Sequence, residues 1–545
     1  MKKMESQVIK NLINQGVLVD PEVVSMNIDE SILEELINYY NNDLDYLDSD
    51  LILKYMEIRR SSKNTSSNNA EESRSTKRKE TTDEETKPAS LDKGPNNNLN
   101  RKSKVRIIKS YDSPPKKRSF QDFVSVFNIR FKALSQMLKY RKELQNVTAI
   151  SRVNSKANND KVAVIGMVLD KSTTKNNNIV LKLEDSTGVC TVIIRQDEKN
   201  KEVFTIANNI VLDEVIGITG TWLNTAVFAD KIIFPDVPLN KELKKQREEE
   251  YVVLMGDTHF GSNVFMEQEF SKFIQWLQGK IGNEEQKHIA SKVKYVILTG
   301  DIVEGVGIYP GQQDDLKIMD ITDQYNEAAR WLRQIPEEIE LILMSGNHDA
   351  GRLSEPQEVP FRDYAAALWD MPNVTLVSNP AYVNIASTDD FPGFDLLLYH
   401  GGSLIYYAAN VPFIKEAGGQ KRSDLILKFL LQKRHLAPTH GSTLYLPDAE
   451  QDFLLIDTVP DMFITGHIHR STAGSYRNVT TVNASCWTET TDDQIKRGLE
   501  PLPARVPIIN LKTRELKIMN FLSKKSKEKE EEITKQVKEM QEMKG

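Results

Sequence analysis

The sequence predicts a multidomain α/β protein: a layered α/β domain in the C-terminal half, preceded by a small β-barrel and a short helical unit. Three observations predict it. From Glu250 onward, continuous apolar runs alternate with helical patterns. Between residues 147 and 237, β-branched runs alternate with turns rich in Lys, Asn, Gly and Asp. Within the first 58 residues, apolar side chains recur at helical spacing. A chain of 545 residues is also too long for one hydrophobic core.

Composition narrows the class. Hydrophobic residues make up 39% and charged residues 27%, as in a soluble globular protein. No apolar run approaches the roughly 18 residues of a membrane span, and MKKMESQVIKNLINQG is too polar for a secretory signal. Cys190 and Cys486 are the only cysteines, which excludes a disulfide framework or zinc ribbon and predicts a cytoplasmic, reducing location. The net charge of −7 gives no global attraction to nucleic acid, so any such contact must come from local patches.

The elements follow in order. Residues 1–58 read as a small helical domain, marginal as an independent core. Residues 59–118 read as a disordered polar and basic linker: from Arg60 to Lys104 only Ala70, Ala89, Leu91 and Leu99 are apolar. RKSKVRIIKSYDSPPKKR (101–118) carries eight Lys/Arg against Asp112 alone, either a phosphate-contacting arm or a solvated basic linker. A helical connector, 119–146, sets Phe120, Phe123, Phe127 and Phe131 on one stripe, a pattern that packs on a neighbour more often than it stacks on bases. Residues 147–240 hold five β-rich runs, VAVIGMVLD, NIVLKLED, VCTVIIR, IVLDEVIGITGTW and VFADKIIF, enough for a barrel of the oligonucleotide-binding (OB) type. Residues 248–522 form the α/β domain, with strands predicted at YVVLM, VKYVILTG, IELILMSG, FDLLLYHG, MFITG, VTTVNAS, VPIINL and LKIMNF. Residues 523–545 read as a frayed, charged tail, with a short partner-binding helix as the alternative because Ile533, Val537 and Met540 sit at helical spacing.

The chemistry lies in five motifs, each following an apolar strand: GDTH (Asp257, His259), GD (Asp301), GNHD (Asn347, His348, Asp349), HG (His400) and GHIH (His467, His469). Loops at strand ends can converge on one sheet edge, where α/β folds place their sites. Five of the eight histidines sit in these motifs, a concentration that separate hydrogen-bonding roles do not explain. His288, His435 and His440 lie outside and read as structural. Carboxylate, amide and imidazole donors without a thiolate suit Mn, Fe or Zn. A two-metal site needs a bridging ligand, and Asp301, alone in its motif, is the natural one.

The order GDTH, GD, GNHD, H, GHIH resembles that of the calcineurin-like metallophosphoesterases. That resemblance implies a four-layer αββα sandwich around a dinuclear centre. It assigns Asp257, His259, Asp301 and His469 to one metal, and Asp301, Asn347, His400 and His467 to the other. His348 would be the catalytic histidine, oriented by Asp349. More narrowly, GDIVEGVGIYPGQQDD, SGNHDAGR, KRHLAPTHG and VNASCWTETT, behind the barrel, resemble the small subunits of archaeal family D DNA polymerases. This resemblance implies a 3′→5′ proofreading exonuclease with two divalent metal ions, Mn2+ being the usual activating ion, acting on single-stranded or mispaired 3′ ends of DNA beside a large catalytic polymerase subunit. Related subunits of eukaryotic replicative polymerases have lost the metal ligands, whereas this chain keeps every ligand position. One departure stands after His400, where GGSLIYYAAN lacks the charged residues expected there. The alternatives are a stand-alone phosphoesterase or repair-type nuclease, against which the barrel argues, and a non-catalytic scaffold subunit, against which the intact ligands argue.

Overall fold

The computed structural model describes residues 105–112, 116–153, 155–497 and 499–544, with 18–19, 31–32, 35–36, 46–47 and 52. Residues 1–95 and 96–545 form two separate compact units. In the first, β1 (Leu18–Val19) pairs in parallel with β2 (Tyr46–Leu47). The helical reading of 1–58 and the linker reading of 60–104 otherwise lie outside the described residues.

The second unit begins with a correction. Residues 106–110, expected within a disordered linker, form strand β3 (Arg106–Ser110), which pairs antiparallel with β13 (Ala381–Ile385). Long-range pairing decides this, because two of the five residues of RIIKS are charged and Ile107 and Ile108 stay exposed at a sheet edge. The basic residues around it are also engaged internally: Arg118 and Lys116 both pair with the buried carboxylate of Asp448.

The connector is a helix, Phe120–Lys139, started by a capping box in which the Ser119 N–H donates to Asp122 at 2.6 Å. Its inner face, Val126, Leu134 and Leu138, is buried, and Leu134 and Leu138 join Phe127 and Phe131 against barrel residues and Leu455. Phe120 is exposed, so the stripe is packing surface over only part of its length.

All five barrel runs are strands: β4 (Lys161–Thr173), β5 (Ile179–Asp185), β6 (Gly188–Ile194), β7 (Val215–Leu223) and β8 (Ala226–Ile233). They close in the order β4-β5-β6-β8-β7 around Val164, Leu181, Leu183, Val192, Ile216 and Ile218. Closure removes free edges, which explains why short β-branched runs suffice. The barrel docks on the following domain: Lys433 pairs with the buried Glu214, and the His440 N–H donates to Asp213 at 2.8 Å.

Two six-stranded sheets follow. One has the order β12-β11-β10-β9-β18-β19, built from β9 (Tyr251–Met255), β10 (Val293–Thr299), β11 (Glu340–Met344), β12 (Val374–Val377), β18 (Arg505–Asn510) and β19 (Leu516–Asn520). The other has the order β16-β17-β15-β14-β13-β3, with β14 (Phe394–Tyr399), β15 (Met462–Thr465), β16 (Thr472–Tyr476) and β17 (Val479–Asn483). Val252, Leu254, Ile297 and Ile342 of the first sheet share one fully buried cluster with Val383, Leu396, Leu398 and Ile464 of the second. Each sheet contributes to a further core that includes helices: Phe270, Phe273 and Tyr325 beside the first, Tyr407, Phe429 and Leu430 beside the second.

The charged tail is a second correction. Residues 524–544 are helical, and Ser526 Oγ donates to Glu269 at 2.8 Å while Glu530 pairs with Arg505 at 2.7 Å. Specific polar anchors hold this helix, since its sequence offers little apolar face.

Candidate metal centre

Every motif loop leaves the C-terminal end of a parallel strand. β9, β10 and β11 run parallel with Met255, Leu298 and Leu343 in register, so Asp257, Asp301 and Asn347 emerge side by side. β14 and β15 are parallel with Tyr399 beside Thr465, which delivers His400 and His467 from the facing sheet. The loops are bonded to one another: the His259 N–H donates to the Asp301 carbonyl at 3.0 Å, and the His467 N–H donates across the sheets to the Asp257 carboxylate at 3.0 Å.

Backbone strain collects here. Asp257, His259, Asp301, His467 and His469 all have φ between 48° and 70°, the left-handed region that non-glycine residues avoid. Such conformations cost about 1–3 kcal/mol each and cluster where function requires a fixed side-chain direction. The glycines of the motifs serve close approach: a Cβ at Gly346 would lie 2.2 Å from Asp301 Oδ1, and one at Gly466 would lie 2.7 Å from Asp257 Oδ2.

The predicted ligands converge. His400 Nε2 lies 3.0 Å from Asn347 Oδ1, 3.2 Å from Asp301 Oδ2 and 3.2 Å from His467 Nδ1. His469 Nε2 lies 3.3 Å from His259 Nε2 and 3.4 Å from Asp257 Oδ1. Asp301 also reaches toward the second group, 3.8 Å from His259 Nε2. A single ring nitrogen carries at most one proton, yet each of these two faces several acceptor-type atoms. Two cations fit this surplus of lone pairs, and the N/O donor set suits borderline divalent ions.

Electrostatics matches that reading. Burial raises the Asp301 carboxyl, but His400, His348 and His259 outweigh it and hold it well below the usual carboxylate range. Burial lowers His400, yet Asp301 and Asp257 raise it to about 10. His467 falls to about 3 through burial and the neighbouring His400.

His348 touches none of the ligand nitrogens within hydrogen-bond distance; its ring meets that of His259 edge-on at 4.7 Å. Its Nδ1 lies 2.7 Å from the Glu304 carbonyl oxygen, so Nδ1 carries the proton and Nε2 is left free. Here the structure differs from expectation. The Asp349 carboxylate does not bind the His348 ring; it accepts the N–H groups of Gly346, Ile302 and Val303 and the Tyr325 hydroxyl. Burial and Asp301 raise Asp349 to about 7. It holds the GNHD loop against the GD loop, and Glu304 orients the histidine.

Glu304 itself was absent from the expected site. Its Oε2 lies 3.0 Å from His259 Nδ1, and the carboxyl is held at about 2 because His259 and His348 outweigh burial. The signal was its place three residues after Asp301 in GDIVEG, but a lone Glu in a loop is an ordinary surface residue until the fold buries it. Asn379 was also unforeseen; its side chain accepts the His400 N–H at 2.9 Å. The remaining histidines are structural or peripheral: His435 is buried against Asp452 at 2.9 Å, His440 packs edge-on against Phe123 and Phe127, and His288 is exposed beside Glu249.

Comparison with known proteins agrees with the geometry. Residues 251–471 match the calcineurin-like phosphoesterases, the class that this fold and cluster define. The chain is 40% identical over 388 residues to the DNA polymerase II small subunit of Archaeoglobus fulgidus, covering 71% of this chain and 75% of that one. It is 37% identical over 389 residues to the DNA polymerase II small subunit of Methanothermobacter thermautotrophicus, covering 71% and 77%. The counterpart from Methanocaldococcus jannaschii is 37% identical over 396 residues, covering 72% and 64%. The chain belongs to the family of DNA polymerase II small subunits. Among the described residues, no helix is long and apolar enough to cross a membrane.

Proposed function

We propose that this chain is the 3′→5′ proofreading exonuclease and accessory subunit of a heterodimeric archaeal DNA polymerase, hydrolysing DNA phosphodiester bonds beside a large catalytic subunit. The convergence of Asp257, His259, Asp301, Asn347, His400, His467 and His469 at facing strand ends carries this reading. Asp257, His259, Asp301 and His469 would hold one divalent ion, and Asp301, Asn347, His400 and His467 the other, with Mn2+ as the favoured metal. When bound, such ions polarise the phosphodiester and lower the pKa of water.

The chain's own residues do the rest. Glu304 fixes His259 through Nδ1, a contact that orients a ligand and raises its basicity. The Glu304 carbonyl fixes the Nδ1–H of His348, so that Nε2 faces the reaction free to take up a proton and, as imidazolium, to pass it to the leaving oxygen. Asp349 keeps the loop that carries both Asn347 and His348 in place. The two sheets with a common core and helix-bearing cores outside support a four-layer αββα arrangement over 248–522. The closed barrel over 147–240, with a helix at Lys201–Asn208 between β6 and β7, supports an OB-type module.

The test is copurification with a large polymerase subunit, followed by degradation of a labelled primer with Mn2+. Loss of 3′ nucleotides from mispaired ends is expected. A chain that binds no divalent ion in titration, or cuts no DNA with or without its partner, refutes the reading.

A further inference from the structure

A cleft of about 280 Å3 opens beside the metal centre. Ile468, the residue between His467 and His469, lines it, together with Ala408, Lys421, Arg470, Leu499 and Glu500. Two cations converge there on one carboxylate. Lys421 Nζ lies 2.6 Å from Glu500 Oε1, and Arg470 Nη1 lies 3.5 Å from Glu500 Oε2. Arg470 Nη1 also donates to the Glu500 carbonyl oxygen at 2.8 Å, which steadies the guanidinium.

The charge in the cleft is unbalanced. One carboxylate faces an ammonium and a guanidinium, which together offer eight N–H donors. The Lys421 and Arg470 side chains keep 38% and 22% of their exposure, against 14% for Glu500, so the cations still face solvent. Ala408 and Ala409 are what the segment after His400 contributes to this wall. The charge in this wall comes instead from Lys421, in the turn at 419–422, and from Arg470, the residue following His469.

We propose that this cleft binds the backbone phosphate of the nucleotide adjoining the scissile bond, with Lys421 and Arg470 as its donors; the inference rests on the DNA-hydrolysing reading above. Glu500 occupies those donors when the cleft is empty and gives way to the phosphate. Proximity supports the assignment, because Arg470 follows a proposed metal ligand directly, one Cα step of about 3.8 Å away. A phosphate offers more acceptor oxygens than a carboxylate and matches the bidentate geometry of a guanidinium. Ala408, Ile468 and Leu499 give the sugar an apolar surface. Contacts of this kind fix the strand without reading its bases, as proofreading of any mismatch requires.

The experiment uses the full chain with Mn2+ and compares two substrates. Oligothymidylate has a neighbouring phosphate; bis(p-nitrophenyl) phosphate has none. In the double variant Lys421→Ala/Arg470→Ala, the ratio of kcat/KM for the first over the second should fall about tenfold or more, through KM. The salt dependence of log KM should flatten by about 0.7, the loss of one single-strand phosphate contact. Glu500→Gln should raise the ratio, since it removes the competing anion, whereas a purely structural ion pair predicts a fall. Lys421→Ala alone, at a half-exposed position, should lower the ratio in the same direction and guards against misfolding of the double variant. An unchanged ratio and salt slope in the cation variants, or a fall in Glu500→Gln, overturns the proposal. A wild-type chain that cleaves bis(p-nitrophenyl) phosphate but not oligothymidylate overturns the DNA reading itself, without recourse to any variant.

Discussion

Asp301 sits where the two ligand groups meet, with His400 on one side and His259 on the other. Asp301→Ala should therefore cost both ions, whereas His400→Ala should weaken one site more than the other. Elemental analysis of the purified variants checks this, and two ions retained by Asp301→Ala would remove the bridge. Glu304 acts one step further out. Glu304→Gln should weaken metal binding by about 10–100-fold, the usual effect of losing a partner that orients a ligand histidine, as read by competition with a chelating dye. His348 is separable from both. His348→Ala should keep metal content and folding while cleavage slows by roughly two to four orders of magnitude, the usual worth of a positioned acid. Parallel loss of metal would make His348 a ligand instead.

At the scale of elements, β3 is the least expected contribution. It closes the edge of the second sheet against β13, whose five residues are all buried, and the Ser110 and Ser378 hydroxyls meet at 3.0 Å beside it. Deleting residues 101–112 should expose that edge and lower the first thermal transition by several degrees. Differential scanning calorimetry of the full chain and the deletion variant measures it. A transition unmoved by the deletion would mean that β3 adds nothing to the sheet. The connector helix carries a comparable device in Arg130, which donates to Asp452 at 2.9 Å and to the Pro438 carbonyl at 3.0 Å. Breaking one partner of a buried ion pair usually costs about 3–5 kcal/mol, because the other charge is left alone.

At the scale of the molecule, that same pair ties the connector to the phosphoesterase domain and makes stability depend on pH. Burial and Arg130 lower His435 to about 4, so the folded chain keeps this imidazole neutral. The unfolded chain protonates it near the ordinary value of about 6.5. Between those values the unfolded state binds more protons, so stability rises with pH there. The contribution is full above about pH 6.5 and is lost as pH falls toward 4. Urea unfolding midpoints at pH 5 and pH 7 should differ more in wild type than in His435→Gln, and equal differences would exclude His435 as the source.

By itself the sequence located the five barrel strands and eight of the strands of the layered domain, and it singled out the nine motif residues whose loops the fold brings together. These are local signals: an apolar run marks a buried strand, and a Gly-Asp or Gly-His pair after it marks a loop at its end. Tertiary structure alone decided the rest. β3, β12, β13 and β16 are short or polar runs that become strands only when a neighbour supplies their hydrogen bonds: β13 for β3, β11 for β12, and the adjoining hairpin strands β14 and β17 for β13 and β16. The C-terminal helix depends on Arg505 in the last sheet strands before it and on Glu269, far away in the chain. Glu304 became a partner of His259 and His348 only because two strand-end loops bring them within hydrogen-bond distance. Lys421, Arg470 and Glu500 belong to three loops, and no spacing in a linear chain encodes their meeting. Periodicity reports what a segment buries, whereas convergence of charge depends on how the segments are stacked.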